Sequence, residues 1–349
     1  MSIINLHVLN VGHGDSIVLE FPENHWGLVD CCRLQKDSEP PALTFLKTKR
    51  VQKLDFVCLT HPHSDHFEGM LDVLRYFTSE GRRVEEFWDC GMEGRKMRYV
   101  TRKLAENQFI ELQSLYGFVR DQAAVKKTIR YLMLSEGHCL SIGPIQINSY
   151  APLGSDTWKY ITEWGRNKKV DENLLSVVLI ITNGTANLVL GSDTKSWEDI
   201  LHQWRKDCEK IARDNRFDIV KVSHHGSLYG NHKGLWKSYT IPSKSVAVIS
   251  AGSKYRFPHL ETVTSIVREK IRLYSTNYRD FTKKVKGKET VEDLRELKIS
   301  SLQKEVLQYF APAAETYTVI SPYHGTCSIS IDKDRNSSVQ TECNLPYIS

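Results

Sequence analysis

The sequence predicts a layered α/β fold, and two observations carry that prediction. Short apolar runs alternate with segments of helical periodicity along most of the 349 residues. Several of those runs also end on residues that can bind a metal, at Asp30, His61, Asp193 and His224.

The elements follow in order. Residues 3–11 read as a strand, 12–15 as a tight turn, 16–21 as its hairpin partner and 26–30 as a third strand ending on a carboxylate. A short helix near residues 42–47 leads to a buried strand at 54–60, which delivers a histidine-rich segment at its carboxyl end, and a helix at 69–76 follows. Residues 84–137 read as mostly helical, an insertion over the site, with Leu104, Phe109, Leu112, Leu115, Ile129 and Leu132 as inward-facing candidates. Strands are expected at 139–150, 176–182, 187–190, 217–222 and 245–250, with helices at 197–215 and 260–272. A second, charged helical insertion is expected at about 280–312, strands at 316–321 and 326–331, and a loose tail at 336–349 rich in Ser, Thr and Asn. The whole of 1–335 reads as one domain, and there is no repeat of fixed period.

Composition narrows the function classes. With 40% hydrophobic and 26% charged residues the chain is expected to be globular throughout. It has no apolar run near the roughly 20 residues that span a bilayer and no leader-like start, so membrane insertion is not expected and a cytoplasmic location is. The eight cysteines form no C-x-x-C pair, which argues against zinc-finger chemistry and for free thiols. A net charge of +5 favours polyanions only weakly. Its distribution says more: Lys96, Arg98, Arg102, Lys103, Arg120, Lys126 and Lys127 fall within the helical insertion, as a polyanion-binding face or as an ordinary solvated helix surface.

The chemistry concentrates in Thr60-His61-Pro62-His63-Ser64-Asp65-His66. Three imidazoles and a carboxylate within six positions after a strand can fold around cations, and borderline metals such as zinc, manganese or iron accept that donor mix. Two later segments add to it. Leu188-Val189-Leu190-Gly191-Ser192-Asp193 is an apolar strand ending on a carboxylate suited to bridge two ions, and His224 and His225 follow another apolar strand. His7, His25, His138, His202, His232 and His324 lack partner spacing and are read as structural. Trp88, Trp158, Trp164 and Tyr229 could stack on bases, with core or rim packing the plainer reading.

This arrangement resembles the metallo-β-lactamase superfamily and, within it, the ComEC-like branch of soluble hydrolase domains found in DNA-uptake channel proteins. The resemblance lies in residues 10–16 (Asn-Val-Gly-His-Gly-Asp-Ser), 28–30, the H-x-H-x-D-H run, Asn173 with 176–179, 191–193, 221–227 and 255–259. It implies a four-layer αββα sandwich with two divalent metal ions, zinc or manganese, at one edge. The implied ligands are His61, His63, Asp65, His66, Asp193 and one of His224 and His225, with Asp15, Asp30 and Asn173 supporting them from behind. The mechanism expected at such a site has a hydroxide held by Asp65 and Asp193 and proton transfer to the leaving oxygen by His224 or His259, of which His259 resembles a histidine near the family's site; Ser227 or Lys254 could contact substrate, with a turn residue and a solvated surface lysine the plainer readings. The chain departs from the pattern at three places. Glu172 and Asn173 stand where many members carry another histidine, Phe257 precedes Pro258 where the branch often has histidine, and His13 replaces a common glutamine.

The favoured function is therefore a phosphodiesterase or nuclease acting on DNA or RNA. The alternatives are a hydrolase of a small ester, lactone or phosphodiester, and a partner-binding module or homo-oligomer that uses the helical insertions around a degenerate site.

Overall fold

The computed structural model describes residues 4–79, 81–91, 104–165, 171–250, 257–276, 325–331 and 337–343. The chain begins with three strands, β1 (Ile4–Val8), β2 (Ile17–Phe21) and β3 (His25–Val29), and continues through α1 (Pro41–Thr48), β4 (Lys53–Leu59), α2 (Ser64–Phe67), α3 (Met70–Phe77) and β5 (Arg83–Asp89). Next come α4 (Glu106–Arg120), β6 (Arg130–Met133), β7 (Cys139–Ile142), β8 (Ile145–Ala151), α5 (Gly154–Gly165), β9 (Val178–Thr182) and β10 (Asn187–Leu190). The rest comprises α6 (Trp197–Lys210), β11 (Ile219–Lys221), α7 (Lys233–Ser238), β12 (Val246–Ile249), α8 (Leu260–Arg268), β13 (Arg272–Ser275), β14 (Gly325–Ile331) and β15 (Ser337–Cys343).

These strands form two sheets, ordered β15-β14-β1-β2-β3-β4-β5-β6 and β13-β12-β11-β10-β9-β8-β7. Each is antiparallel in one half and parallel in the other: β3 to β6 run parallel in the first, β10 to β13 in the second. A parallel pair needs a crossover, and helices supply it, α1, α3 and α4 on one sheet and α6, α7 and α8 on the other. Because successive side chains of a strand point to opposite faces, the core assignments alternate residue by residue. Leu179, Ile181, Leu188, Leu190, Val246 and Val248 pack into the core shared with the first sheet, while Val178, Ile180, Val189, Ala247 and Ile249 face α6 to α8. The outer face of the first sheet is covered by Met70, Val73, Leu74 and Phe77 of α3 and by Leu112 and Leu115 of α4. Helix, sheet, sheet, helix is the layering expected of the αββα sandwich.

Three readings from the sequence need correction. Residues 84–89 are not part of a helical insertion but form most of β5, and residues 130–133 form the edge strand β6 beside it. The run Arg-Val-Glu-Glu-Phe-Trp-Asp hides its strand character behind three acids. In the fold Glu86 is buried, accepts from Trp88 Nε1 at 2.6 Å and pairs with Arg130 of β6. Likewise Ser337–Cys343 is not a loose tail but pairs antiparallel with β14, and the helix expected to reach residue 272 stops at Arg268, leaving Arg272 to open β13. The second charged insertion lies outside the described residues. Among those described, no helix is long and apolar enough to cross a membrane. Cys31, Cys32, Cys58, Cys139 and Cys208 are free. Burial pushes the first three thiols up, which keeps them in the unreactive protonated form.

Gly27 of β3 sits opposite Phe56 of β4, and Phe56 in turn stacks on Trp88 with ring centroids 4.2 Å apart. A Cβ at Gly27 would lie 2.3 Å from the Phe56 ring, and that ring cannot swing away without breaking its stack. Gly27→Ala is therefore expected to lower stability by about 1–3 kcal/mol through overpacking. Urea unfolding checks this; an unchanged midpoint would show that the Phe56 and Trp88 pair can shift freely.

Candidate metal centre

In parallel α/β sheets ligands gather at the carboxyl ends of the strands, and here both sheets bring such ends to one place. Asp30 follows β3, His61 to His66 follow β4, Asp193 follows β10, His224 and His225 follow β11, and Ser250 follows β12. The sheets are tied at this edge by Val177 N–H donating to Thr60 O at 3.0 Å. The histidine loop is also pinned by main-chain bonds from Asp15 N to Asp65 O (2.9 Å) and from Cys31 N to His66 O (2.8 Å). Gly14 makes that approach possible. Its φ is +148°, and a Cβ there would meet Asp65 O at 2.6 Å. Four non-glycine residues in left-handed conformation surround the site, Asp30, Ser192, His224 and His225; strained backbone of this kind collects where side chains must be aimed.

The nitrogens are aimed inward by partners behind them. Asp30 is buried and accepts from Thr60 N–H (2.8 Å), Thr60 Oγ1 (2.7 Å) and His66 Nδ1 (2.7 Å). That last bond places the proton of His66 on Nδ1 and turns Nε2 toward Asp193 Oδ1 at 3.7 Å. Because the Thr60 hydroxyl donates to Asp30, it can only accept from His61 Nδ1, 3.1 Å away, which leaves His61 Nε2 without a proton. Glu172, also buried, faces His63 Nε2 at 3.4 Å and so leaves His63 Nδ1 bare as well. The two bare nitrogens of His61 and His63 then face each other at 2.9 Å. Ser250 O can only accept, so His225 donates to it from Nδ1 (3.1 Å) and presents Nε2 to Asp65 Oδ2 at 3.3 Å. Carboxylates or carbonyls behind, lone pairs in front: this is how metal-binding imidazoles are held.

This donor set fits divalent ions. His66 Nε2 and Asp193 Oδ1 are buried and have no hydrogen-bond partner among the described residues, and bare nitrogens opposing one another or a carboxylate repel unless a positive charge lies between them. The ligand atoms fall into groups within 4.8 Å of one another, His61 with His66 and Asp193, and His13 with Asp65 and His225. Burial alone would raise Asp65 and Asp193, but the His66 charge leads the effects that outweigh it and hold both well below the usual carboxylate range. Burial would lower His66, yet Asp30, Asp193 and Asp65 keep it well above the usual imidazole value, while burial and then the charges of His66 and His63 push His61 well down.

Beneath the site, Lys221 and Asp15 form an ion pair at 2.8 Å with both side chains fully shielded from solvent. Lys221 belongs to β11 of one sheet and Asp15 to the β1–β2 turn of the other, so the pair clamps the sandwich below the ligands. The cavity above has a volume of about 680 Å³ and is lined by His13, His63, Asp65, Asp193, His224 and His225, with Phe257, Arg33, Leu104 and Gln108 around them.

The residues singled out from the sequence fare differently. His61, His63, Asp65, His66, Asp193 and His225 converge, and His224 reaches the same centre with Nε2 3.7 Å from Asp193 Oδ2 on the cavity wall. Asp15 and Asp30 sit behind the ligands. Asn173 is buried, and its Oδ1 lacks a hydrogen-bond partner among the described residues. Ser227 is buried in the turn after the histidines, where its hydroxyl accepts from Gly230 N–H at 3.1 Å. His259 stands at the start of α8, with its ring 5.6 Å from that of Phe257, and is not part of the cavity lining. Lys254 lies outside the described residues. Lys221 and Thr60 were overlooked, because a lysine inside an apolar strand and a threonine before a histidine say nothing until their distant carboxylates are in view.

No family model matches the chain. Over 289 residues, 77% of its length, it is 22% identical to ComE operon protein 3 of Bacillus subtilis (strain 168), of which it spans only 31%. Among solved structures it is similar to the metallo-beta-lactamase fold protein YhfI of Bacillus subtilis (10% identity, TM-score 0.40, covering 79% of this chain and 86% of that one). It is also similar to Tm1679, a metal-dependent hydrolase of the beta-lactamase superfamily (11% identity, TM-score 0.42, 79% and 96%). A third is a diphosphatase from the PhnP family (12%, 0.38, 78% and 86%). The layering described above rests on the chain's own strand order and core, not on these overlaps.

Two outcomes follow from the geometry. Asp30→Asn keeps the size of the side chain but places an amide against either Thr60 or His66, and should weaken zinc binding by about 10–100-fold, read by calorimetric titration; unchanged affinity would show that Asp30 does not aim His66. Lys221→Met leaves Asp15 buried and unpaired, at an expected cost of about 3–5 kcal/mol in urea unfolding at neutral pH. Burial works to raise the Asp15 carboxyl, but Lys221 leads the charges that outweigh it, and its folded value lies below the ordinary 3.8. The wild-type pair therefore stabilises fully above that value and loses its contribution as pH falls through the folded one. The gap between wild type and variant should shrink in acid.

Proposed function

We propose that this chain is a metal-dependent hydrolase that cleaves phosphodiester bonds, with nucleic acid as its substrate class. The observation that carries the metal dependence is the convergence of bare imidazole nitrogens and ionised carboxylates at the ends of three strands, β4, β10 and β11. His61, His63, Asp65, His66, Asp193 and His225 would hold two divalent ions, zinc or manganese by donor type. Such ions, when bound, neutralise charge on the attacked group and lower the pKa of a water to about 7. The chain's own groups do the positioning. Asp65 and Asp193 are held ionised and can each accept a hydrogen bond from the attacking water. His224, on the cavity wall beside Asp193, is placed to donate a hydrogen bond to the leaving oxygen from a ring that burial keeps below the usual imidazole value and so in its neutral form. Phe257 packs against the rings of His13, His224 and His225 and keeps bulk water off that side.

The phosphodiester and nucleic-acid part of the reading draws on the ComEC-like motifs, on the similarity to a ComE operon protein, and on the surroundings of His224. Lys195 lies over the exposed Tyr229 ring at 4.9 Å and pairs with Asp171 Oδ2 at 2.5 Å, and its charge adds to the burial that lowers His224. A cation beside an exposed aromatic face suits a phosphate and a base.

One observation favours the small-substrate alternative. The basic helical insertion does not bring its described cations to the cavity: Gln108 of α4 and Leu104 ahead of that helix line it, and Arg120 lies about 18 Å along the helix from Gln108 at 1.5 Å per residue. The trough that continues from the cavity is lined by Asp37, Glu68, Asp72 and Glu111 against Arg33 and Lys36, and Arg33 is already paired with Asp72 at 2.7 Å. A polyanion is repelled from that trough, whereas a compact ester or diester need not enter it.

Incubation with labelled single- and double-stranded DNA, RNA and a small chromogenic phosphodiester, with manganese or zinc added in turn, separates the readings. Nucleic-acid cleavage that falls at least about a hundredfold in Asp65→Ala/His66→Ala is the expected result. Turnover of a small ester with every nucleic acid left intact would reverse the choice of substrate, and activity of that double variant without metal would remove the mechanism.

A further inference from the structure

The β1–β2 turn carries an imidazole where the resembled branch commonly has glutamine. His13 is flanked by Gly12 and Gly14, both at positive φ, and the turn is closed by Leu9 N–H to Ser16 O and anchored by Asp15 N–H to Asp65 O, both 2.9 Å. Its side chain, only 10% exposed, is thus held at a fixed place and brings Nε2 to 3.2 Å from Asp65 Oδ2. The same oxygen lies 3.3 Å from His225 Nε2, whose lone pair is turned inward by Ser250 O. The rings of His13 and His225 are 4.7 Å apart, and the Phe257 ring lies 6.3 and 6.4 Å from them at 29° and 20° to their planes. One ligand atom from each of His13, Asp65 and His225 lies within 4.8 Å of the others.

On the other side of the site the chain lacks an imidazole. Glu172 and Asn173 occupy the place where many relatives of this type carry a further histidine, and Glu172 is engaged behind His63. One donor is missing from the His61 side, and one is gained at the β1–β2 turn.

We propose that His13 is itself a metal ligand, and that the second ion is held by His13, Asp65 and His225 and not by His224. The proposal rests on the metal-dependent reading above and deepens it. It divides the adjacent histidines between two tasks: His225 binds the ion, and His224 stays free on the cavity wall to meet substrate. Two nitrogens and a carboxylate oxygen suit zinc or manganese.

Calorimetric titration of the full chain with zinc tests it, comparing wild type with His13→Ala and His13→Gln. Glutamine can keep a hydrogen bond to Asp65 but offers no imidazole, so it separates ligation from mere orientation of Asp65. The expected result is two ions in wild type, and in both variants one ion at unchanged affinity with the other weakened at least about tenfold. Two ions at wild-type affinity in either variant would overturn the role of His13 while leaving the metal-dependent reading intact; no ion in wild type would overturn both. A second measurement needs no variant. In wild type labelled with 15N-histidine and loaded with 113Cd, one-bond coupling to His13 Nε2 is expected, and its absence overturns the assignment.

Discussion

The carboxylate of Asp30 organises the site. It is buried at the end of β3 and accepts three hydrogen bonds, two from Thr60 at the end of the neighbouring strand and one from His66 beyond the loop. The Thr60 hydroxyl, its proton given to Asp30, becomes an acceptor and fixes the tautomer of His61. Two imidazoles are therefore aimed through one anion. A charge so deep is costly alone: burial holds the Asp30 carboxyl above its ordinary value, with His66 the leading effect in the opposite direction. The carboxylate and the imidazolium each make the other tolerable, which is why the anion behind the ligands matters as much as those in front.

The topology explains how distant segments come to share one pocket. In each sheet the parallel half points its carboxyl ends the same way, and packing the two sheets face to face brings both sets to a common edge. Asp15 and Lys221, 206 residues apart, meet because one lies on the turn of the first sheet and the other on a central strand of the second. Their attraction in a dry environment stiffens the seam on which the ligands stand. Removing either partner would leave a stranded charge, so the pair acts as a condition on the geometry as well as a contribution to stability.

Much of this was legible in the sequence where the signal was local. The H-x-H-x-D-H run announces itself because four donors fall within six residues, and the strands ending at Asp30, Asp193 and His224 could be read from apolar runs of ordinary length. Legibility failed where meaning depended on a partner far away. Strand β5 reads as polar until Glu86 is seen against Arg130 and Trp88. Lys221 looks misplaced until Asp15 is beside it. Strands β13 and β15 take their hydrogen bonds from β12 and β14, and their own composition does not demand a strand. The choice between His224 and His225 was likewise undecidable from spacing, because it turns on which ring finds a carbonyl behind it.

That choice shows what the strained backbone accomplishes. His224 and His225 have φ values of 50° and 52° in succession, a conformation that costs non-glycine residues roughly 1–3 kcal/mol each. It is held by His224 N–H to Ser192 O and Ser227 N–H to His224 O, at 2.9 and 2.8 Å. The result is two adjacent rings at 74° to one another with centroids 6.3 Å apart. One is fully enclosed against Ser250 and Asp65; the other stands in the cavity wall with a fifth of its side chain exposed. An unstrained turn with the same two residues would have no reason to aim both at the carboxylate cluster from different depths. The stability given up in this turn is what allows one dipeptide to serve the inside of the site and its mouth together.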